Sequence, residues 1–257
     1  MDAGKLFDLK GRVALVTGAS SGLGERFAEV AAANGAAVVL VARRKERLEA
    51  LKAKIEKARG RAAVAPADVT DQAAMKRAFD AAEKAFGTVD LLVANAGMVE
   101  VAKAVDMTPE MWRRTMSTDL DAVFFSATEA ARRMIAASKP GAIVTIASIA
   151  GYMVERGLSS YSVAKAGVIQ ATRALALEFA RRNIRVNAIA PGFISTEINR
   201  DFLASEEGEQ LRQKIPIGRF GTPGDLDGTF LLLASAAGAW MTGSTVVADG
   251  GELLMSG

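Results

Sequence analysis

The stretch Val13-Ala-Leu-Val-Thr17 runs directly into Gly18-Ala-Ser-Ser-Gly22-Leu-Gly24. A short apolar, β-rich run that ends abruptly in glycines reads as a buried strand entering a tight turn. Beyond the glycines, Leu23, Phe27, Val30 and Ala31 recur at helical spacing until Asn34-Gly35, a C-terminal stop. In a strand–turn–helix unit of this kind Gly18 permits the turn, Gly22 lets phosphates approach the backbone, and Gly24 lets the helix pack closely on the strand. The helix N-terminus offers amides and a positive dipole to a pyrophosphate. The spacing G-x3-G-x-G is not the common G-x-G-x-x-G fingerprint, so the nucleotide reading rests on its context, a strand before and a helix after.

The alternation continues along the chain. Residues 36–42 read as a second buried strand, and Leu48, Leu51 and Ile55 mark the next helix, with Lys45/Glu49 and Lys52/Glu56 on its wet side. Residues 62–67 predict a third strand, the stripe Met75, Phe79, Ala82 and Phe86 a helix, and residues 89–94 a fourth strand. Thr108-Pro109-Glu110 is a helix start, with a hydroxyl cap, proline at the first helical position and an acid in the first turn. That helix is expected to run to about Ala137. Strands at 142–147 and 185–190 flank a helix over 159–182, and a helix near 225–234 and a strand at 244–248 close the chain. Such regular alternation predicts one α/β domain over 1–257, a doubly wound parallel sheet with helices on both faces. Segment 196–215 breaks the rhythm: it is polar and acidic, with Phe202, Leu203 and Leu211 as its greasy points. Its place after a strand's carboxyl end suits a lid.

Composition narrows the chemistry. Half of the 257 residues are hydrophobic and 24% charged, an ordinary globular balance with ample core. Net charge is only +3, and the basic pairs Arg43-Arg44, Arg113-Arg114, Arg132-Arg133 and Arg181-Arg182 are scattered, which argues against a nucleic-acid groove. With no cysteine and no histidine, disulfides, zinc sites and histidine-based acid–base catalysis are excluded. The N-terminal Met1-DAGKLFDLKGR has no apolar signal core, and no run approaches the ~20 apolar residues of a membrane span. A cytoplasmic protein acting on a small molecule is the expectation.

The second strand end selects the dinucleotide. An NAD site places a carboxylate there for the ribose hydroxyls, an NADP site an arginine for the 2′-phosphate. Here Ala42 is followed by Arg43-Arg44-Lys45, bases that oppose the dipole of their helix and can bind a phosphate. NADP(H) is the favoured cofactor. Asp68-Val69 and Asn95-Ala96-Gly97, at the third and fourth strand ends, suit an adenine and a ribose; either equally suits a turn.

Acid–base chemistry points to Ser148 through Lys165. Tyr161 and Lys165 stand at i and i+4, on one face of a helix. A tyrosine hydroxyl ordinarily titrates near ~10, and an ammonium one turn away favours its phenolate. Ser148, on a separate element, supplies a second hydroxyl.

Together, 17–24, Asn95-Ala96-Gly97, Ser148, Tyr161-SVA-Lys165, Pro191-Gly192 and Asp249-Gly250-Gly251 resemble, in order and spacing, the short-chain dehydrogenase/reductase family over essentially the whole chain. The resemblance implies a Rossmann-like fold and nicotinamide-dependent hydride transfer, as in NADP-dependent carbonyl and 3-oxoacyl reductases. It implies Tyr161 as acid–base, Lys165 as its electrostatic partner and ribose ligand, and Ser148 as the substrate-oxygen ligand. It places Gly18, Ser20, Ser21, Gly22, Leu23 and Gly24 on the phosphates and adenosine ribose, and Asp68 and Val69 on the adenine. Asn95, Ala96 and Gly97 would lie on the ribose, and Pro191, Gly192, Ile194 and Thr196 on the nicotinamide. It also implies a homotetramer, or a homodimer, built from long helices and the C-terminal strand.

Two positions depart from the family pattern. Ala94 replaces a frequent asparagine, at the cost of a local hydrogen bond. Asp119 stands where the family's fourth catalytic residue, an asparagine, holds a water of the proton relay; its charge disfavours the phenolate and favours the ammonium. The leading expectation is therefore an active ketone–alcohol oxidoreductase with Asp119 in its relay. An impaired cofactor-binding scaffold, an NAD-dependent alcohol or sugar dehydrogenase, and an isomerase are the alternatives. By analogy the pocket draws on Met98, Ala150, Met153, Val154, Phe193, Phe202 and Leu203, which suggests an apolar ketone or acyl thioester; Glu155 and Arg156 are expected in solvent.

Overall fold

The computed structural model describes residues 3–197 and 199–255. Ile198, within the expected lid, and the outermost residues of the single domain expected over 1–257 lie outside them. A short helix, α1 (Ala3–Leu6), precedes the sheet. The apolar run Val13–Thr17 is buried throughout and forms β1, because it pairs in parallel on both sides. Around it the chain builds β2 (Ala37–Val41), β3 (Arg61–Val64), β4 (Leu91–Ala94), β5 (Gly141–Ile146), β6 (Ile184–Pro191) and β7 (Thr245–Ala248). All pairings are parallel, in the order β3-β2-β1-β4-β5-β6-β7. The chain reverses direction across the sheet between β1 and β4, where doubly wound sheets bind ligands at their carboxyl ends.

Helices cover both faces, as the alternation predicts. On one, α2 (Gly22–Ala33), α3 (Lys45–Lys57) and α10 (Asp227–Ala234) bury Phe27, Leu48, Leu51, Ile55 and Phe230. On the other, α4 (Gln72–Phe86), α6 (Ala122–Ala136) and α7 (Ser159–Phe179) bury Met75, Phe79, Met134, Val168 and Leu175. Among the described residues no helix is long and apolar enough to cross a membrane.

Several boundaries differ from the sequence expectations. β3 stops at Val64 rather than residue 67, although the Ala65 and Ala67 amides still donate to Leu40 and Ala42; Pro66, between them, falls on the open edge of the sheet, where no strand needs its N–H. The helix expected over 108–137 is not continuous. It divides into α5 (Pro109–Met116), a five-residue π-turn (Ser117–Asp121) and α6. The helix expected near 225 opens as a 3-10 turn, Pro223–Leu226, closed by the reciprocal Thr222–Asp225 cap. The 196–215 excursion carries α8 (Arg200–Leu203) and α9 (Glu206–Lys214). Its base is pinned where the Ser195 amide donates to Gly221 and the Gly221 amide to Phe193.

Candidate active site

At the carboxyl edge of the sheet, β1 delivers the glycine turn. Gly18 and Gly22 adopt left-handed φ of 67° and 60°, which favours glycine at both. A Cβ on Gly24 would stand 2.4 Å from the Gly18 carbonyl oxygen, so α2 packs against the turn only because that atom is missing. Ser21 caps α2 with extended backbone and no side-chain bond to the first-turn amides, which leaves them facing the strand edge. The serine hydroxyls are engaged elsewhere: the Arg44 guanidinium donates to Ser20 Oγ at 2.9 and 3.2 Å and to Ser21 Oγ at 2.9 Å. Arg43 is exposed beside Asp68, whose carboxyl is held below the usual range by the Thr70 amide and hydroxyl and then by Arg43. Val69, next to it, is half-buried. Free amides, left-handed glycines and two guanidiniums fit a dinucleotide phosphate.

Asn95, expected against a ribose, commits its side chain within the protein. Its side-chain amide donates to the Thr17 carbonyl at 3.0 Å, while the Asn95 and Ala96 amides donate to Thr17 Oγ1. The side chain thus ties the ends of β1 and β4 together, directly beneath Gly18. Ala96 is half-buried and Gly97 exposed.

The residues expected to carry acid–base chemistry converge from α7, the end of β5 and the π-turn. Ser148 follows β5, and its Oγ accepts from the Ala150 amide at 3.1 Å, which caps the 3-10 turn Ile149–Gly151. That turn lies hard against α7: a Cβ on Gly151 would stand 3.0 Å from the Lys165 carbonyl carbon. On α7, Lys165 Nζ lies 5.5 Å from the centre of the Tyr161 ring, as the i,i+4 spacing predicts. Lys165 is buried, donates to the Ile146 carbonyl at 3.1 Å and pairs with Asp119 Oδ1 at 3.2 Å. Asp119 is fully buried, and both its oxygens accept from the Met98 amide.

The π-turn explains this reach. Its wider ladder holds Asp119 inward, where an uninterrupted helix was expected, and π-turns of this kind recur at functional sites. Gly167 assists, since a Cβ there would meet Leu120 at 2.9 Å. Burial raises the Asp119 carboxyl above its ordinary range against the pull of Lys165 and of the Met98 amide. Burial opposes the Lys165 charge as well, yet Tyr161 and Asp119 together hold its ammonium above the ordinary lysine range. The Lys165 ammonium is thus favoured, with Asp119 as its buried partner.

A family model described as enoyl-(acyl carrier protein) reductase matches residues 18–252. The chain is 39% identical to 3beta-hydroxysteroid dehydrogenase 1 of Eggerthella lenta, over 97% of both chains. A crystal structure of a short-chain type dehydrogenase/reductase from Mycobacterium marinum superposes with a TM-score of 0.92 at 39% identity, covering 96% of this chain and 98% of that one. This protein is a short-chain dehydrogenase/reductase. A gluconate 5-dehydrogenase from Burkholderia cenocepacia, solved with NADP and tartrate, is also similar, with a TM-score of 0.93, 33% identity and coverage of 98% and 99%.

In this short-chain dehydrogenase/reductase the remaining residues expected at the site come from β6 and the segment after it. Pro191 is buried at the end of β6, and Gly192 admits Asp249, whose Cα would stand 2.8 Å from a Cβ there. Ile194 is buried, and the Thr196 amide and hydroxyl donate to Asn199 Oδ1, while Asn199 Nδ2 donates to the Ile194 carbonyl. Thr196 sits near Gly22, where a Cβ would meet its Cγ2 at 3.5 Å. Leu23, on the first turn of α2, is half-buried. Of the apolar residues expected to line the pocket, Val154 is 84% and Phe202 49% exposed. Glu155 is half-buried rather than in solvent. The Arg44–serine clamp and buried Glu252 were not anticipated. Glu252 had a visible signal, an acid opening the otherwise apolar Leu253-Leu254-Met255 tail.

Proposed function

We propose that the protein transfers hydride between NADP(H) and the carbon of a ketone or secondary alcohol. The observation that carries this reading is the placement of Tyr161 beside a buried, charged Lys165, with Ser148 packed against the same helix by the Ile149–Gly151 turn. The nicotinamide supplies or accepts the hydride. In reduction Tyr161 gives its proton to the carbonyl oxygen, Ser148 steadies that oxygen, and the Lys165 ammonium stabilises the phenolate left behind. Oxidation runs the same proton the other way. Asp119 holds Lys165 in place and charged, taking the position in which the family carries an amide.

Gly18, Gly22, Leu23 and Gly24 would hold the pyrophosphate, with Ser20, Ser21, Arg43 and Arg44 toward the 2′-phosphate. Asp68, Val69, Asn95, Ala96, Gly97, Pro191, Gly192, Ile194 and Thr196 would complete the cofactor cleft. NADP is supported by the arginines after β2, by the absence of a carboxylate there, and by the NADP in the similar Burkholderia structure. The 196–215 excursion would close over substrate. A homotetramer is supported by apolar side chains left exposed on α6, α7 and the C-terminal segment, among them Phe125, Leu177 and Leu254. The test is NADPH and NADH oxidation with a ketone panel, run beside Tyr161→Phe. Turnover with NADPH that Tyr161→Phe lowers by about 100-fold or more fits the role; binding of NADPH without turnover of any ketone would point to a scaffold instead.

A further inference from the structure

The start of the 196–215 excursion passes across the glycine turn. Thr196 lies against Gly22, the first residue of α2, where a Cβ would stand 3.5 Å from the threonine Cγ2. The next residue, Glu197, reaches α3: its Oε2 lies 3.7 Å from Nη1 of Arg47, in the first turn of that helix. Thr196 and Glu197 therefore bridge the N-termini of α2 and α3. They do so over the strand edge where a dinucleotide would lie.

The bridge is held in shape from below. Asn199 Oδ1 accepts from the Thr196 amide at 2.8 Å and from its hydroxyl at 3.2 Å, and Asn199 Nδ2 donates to the Ile194 carbonyl at 2.9 Å. Ile194 in turn pairs with Gly221, and the Ser195 amide donates to the Gly221 carbonyl. Glu197 is thus carried on a closed turn with a fixed base.

Charge gives Arg47 a task. Glu25, in the first turn of α2, is half-buried and senses both ends of the bridge. Burial and then Glu29 raise its carboxyl against Lys54, with Glu197 adding to the rise and Arg47 opposing it. Glu197 accordingly brings a second acid to the mouth of a phosphate site, where an unpaired carboxylate repels the ligand. The neighbouring cations are committed elsewhere: Arg26 to Asp227, Lys54 to Glu29, and Arg44 to Ser20 and Ser21. Arg47 neutralises Glu197.

We propose that the Glu197–Arg47 pair is a clasp that holds the start of the excursion across the bound dinucleotide and sets how fast the cofactor leaves. This inference rests on the cofactor cleft of the reading above. Both residues are positioning residues, since they act through the Thr196 turn over Gly22. That turn faces the part of the molecule that NADP(H) and NAD(H) share, so the clasp acts on both cofactors alike. An exposed ion pair contributes modestly, and its effect is a change in rate rather than a loss of binding.

Stopped-flow fluorescence measures the release of NADPH and of NADH in the parent chain, Arg47→Ala, Glu197→Gln and the double variant. Each single change is expected to speed release of both cofactors about threefold, Arg47→Ala the more because it leaves Glu197 unpaired. The double variant should be no faster than Arg47→Ala, the non-additivity of a direct pair. Asn199→Ala, which loosens the turn and touches neither charge, should speed release as well. If Arg47 instead grips the 2′-phosphate, Arg47→Ala will hasten NADPH alone and Glu197→Gln will slow it. That pattern, additive effects in the double variant, or a lowered Tm with unchanged release rates would each overturn the clasp. The expected release pattern in a protein that reduces no ketone keeps the clasp and removes the hydride-transfer reading. Ketone turnover with unchanged release rates does the reverse, and failure to bind either dinucleotide removes both.

Discussion

The Lys165 ammonium lies 3.2 Å from the Asp119 carboxylate, and neither side chain reaches solvent. In the proposed reaction Lys165 supports a Tyr161 phenolate, and a carboxylate behind that lysine opposes the phenolate's charge. Asp119→Asn keeps the shape and removes the charge, which favours the phenolate. Reduction needs the neutral hydroxyl and oxidation the phenolate, so the basic limb of reduction and the acidic limb of oxidation are both expected to move to lower pH. pH–rate profiles in both directions check this; limbs that stay where they are refute it. Asp119→Ala leaves a buried ammonium unpaired and should lose on the order of 3 kcal/mol, read from the denaturant midpoint.

Arg44→Ala should cost NADPH but not NADH. The substitution removes the guanidinium that bridges Ser20 and Ser21 at the mouth of the glycine turn. kcat/KM with NADPH is expected to fall about tenfold or more while that with NADH holds. Equal kcat/KM for the two cofactors in the parent chain would remove the arginine argument altogether.

Gly151→Ala tests how Ser148 is positioned. The added Cβ meets backbone of α7 at 3.0 Å, at the Ala166 nitrogen and the Lys165 carbonyl carbon, so the turn must move and take Ser148 with it. A destabilisation of about 1–3 kcal/mol is expected, with kcat lowered in protein that remains folded. Gly228→Ala is the control, because nothing lies within 4 Å of its Cβ position in α10. That change should stabilise by up to about 1 kcal/mol. Equal loss of kcat in both variants would show that Ser148 is not held this way.

Leu177, on α7, is 82% exposed, and Phe125, on α6, is 45% exposed. Such exposed apolar side chains on long helices would be buried in the proposed assembly. Light scattering is expected to give four times the 26.9 kDa of one chain. Phe125→Asp or Leu177→Asp should shift the mass downward, and a parent chain that runs as a monomer would dispose of the assembly.

Much of the architecture was legible because it depends on local period. The runs at 13–17, 36–42 and 142–147 announced buried parallel strands, and the stripes at Phe27, Phe79 and Leu48 announced the helices that cover them. Tyr161 and Lys165 share a face for the same reason, since four residues are one helical turn. Boundaries were less legible: β3 ends at Val64, short of residue 67, and the π-turn at Ser117–Asp121 divides a stripe that reads as one helix.

By itself the sequence determined the doubly wound sheet, the glycine turn at its first strand end, and the tyrosine–lysine pair on one helical turn. The family resemblance added that these belong to one site. Only the tertiary structure decided that Asp119 bonds Lys165 directly, that the Asn95 amide is committed to Thr17, that Arg44 rather than Arg43 grips the serines, and that Glu252 is buried against Phe193. The physical reason is distance along the chain. Period fixes which side chains share a face of one element, but a partner 46 residues away, as Asp119 is from Lys165, depends on which elements the core brings together and how far one turn is widened.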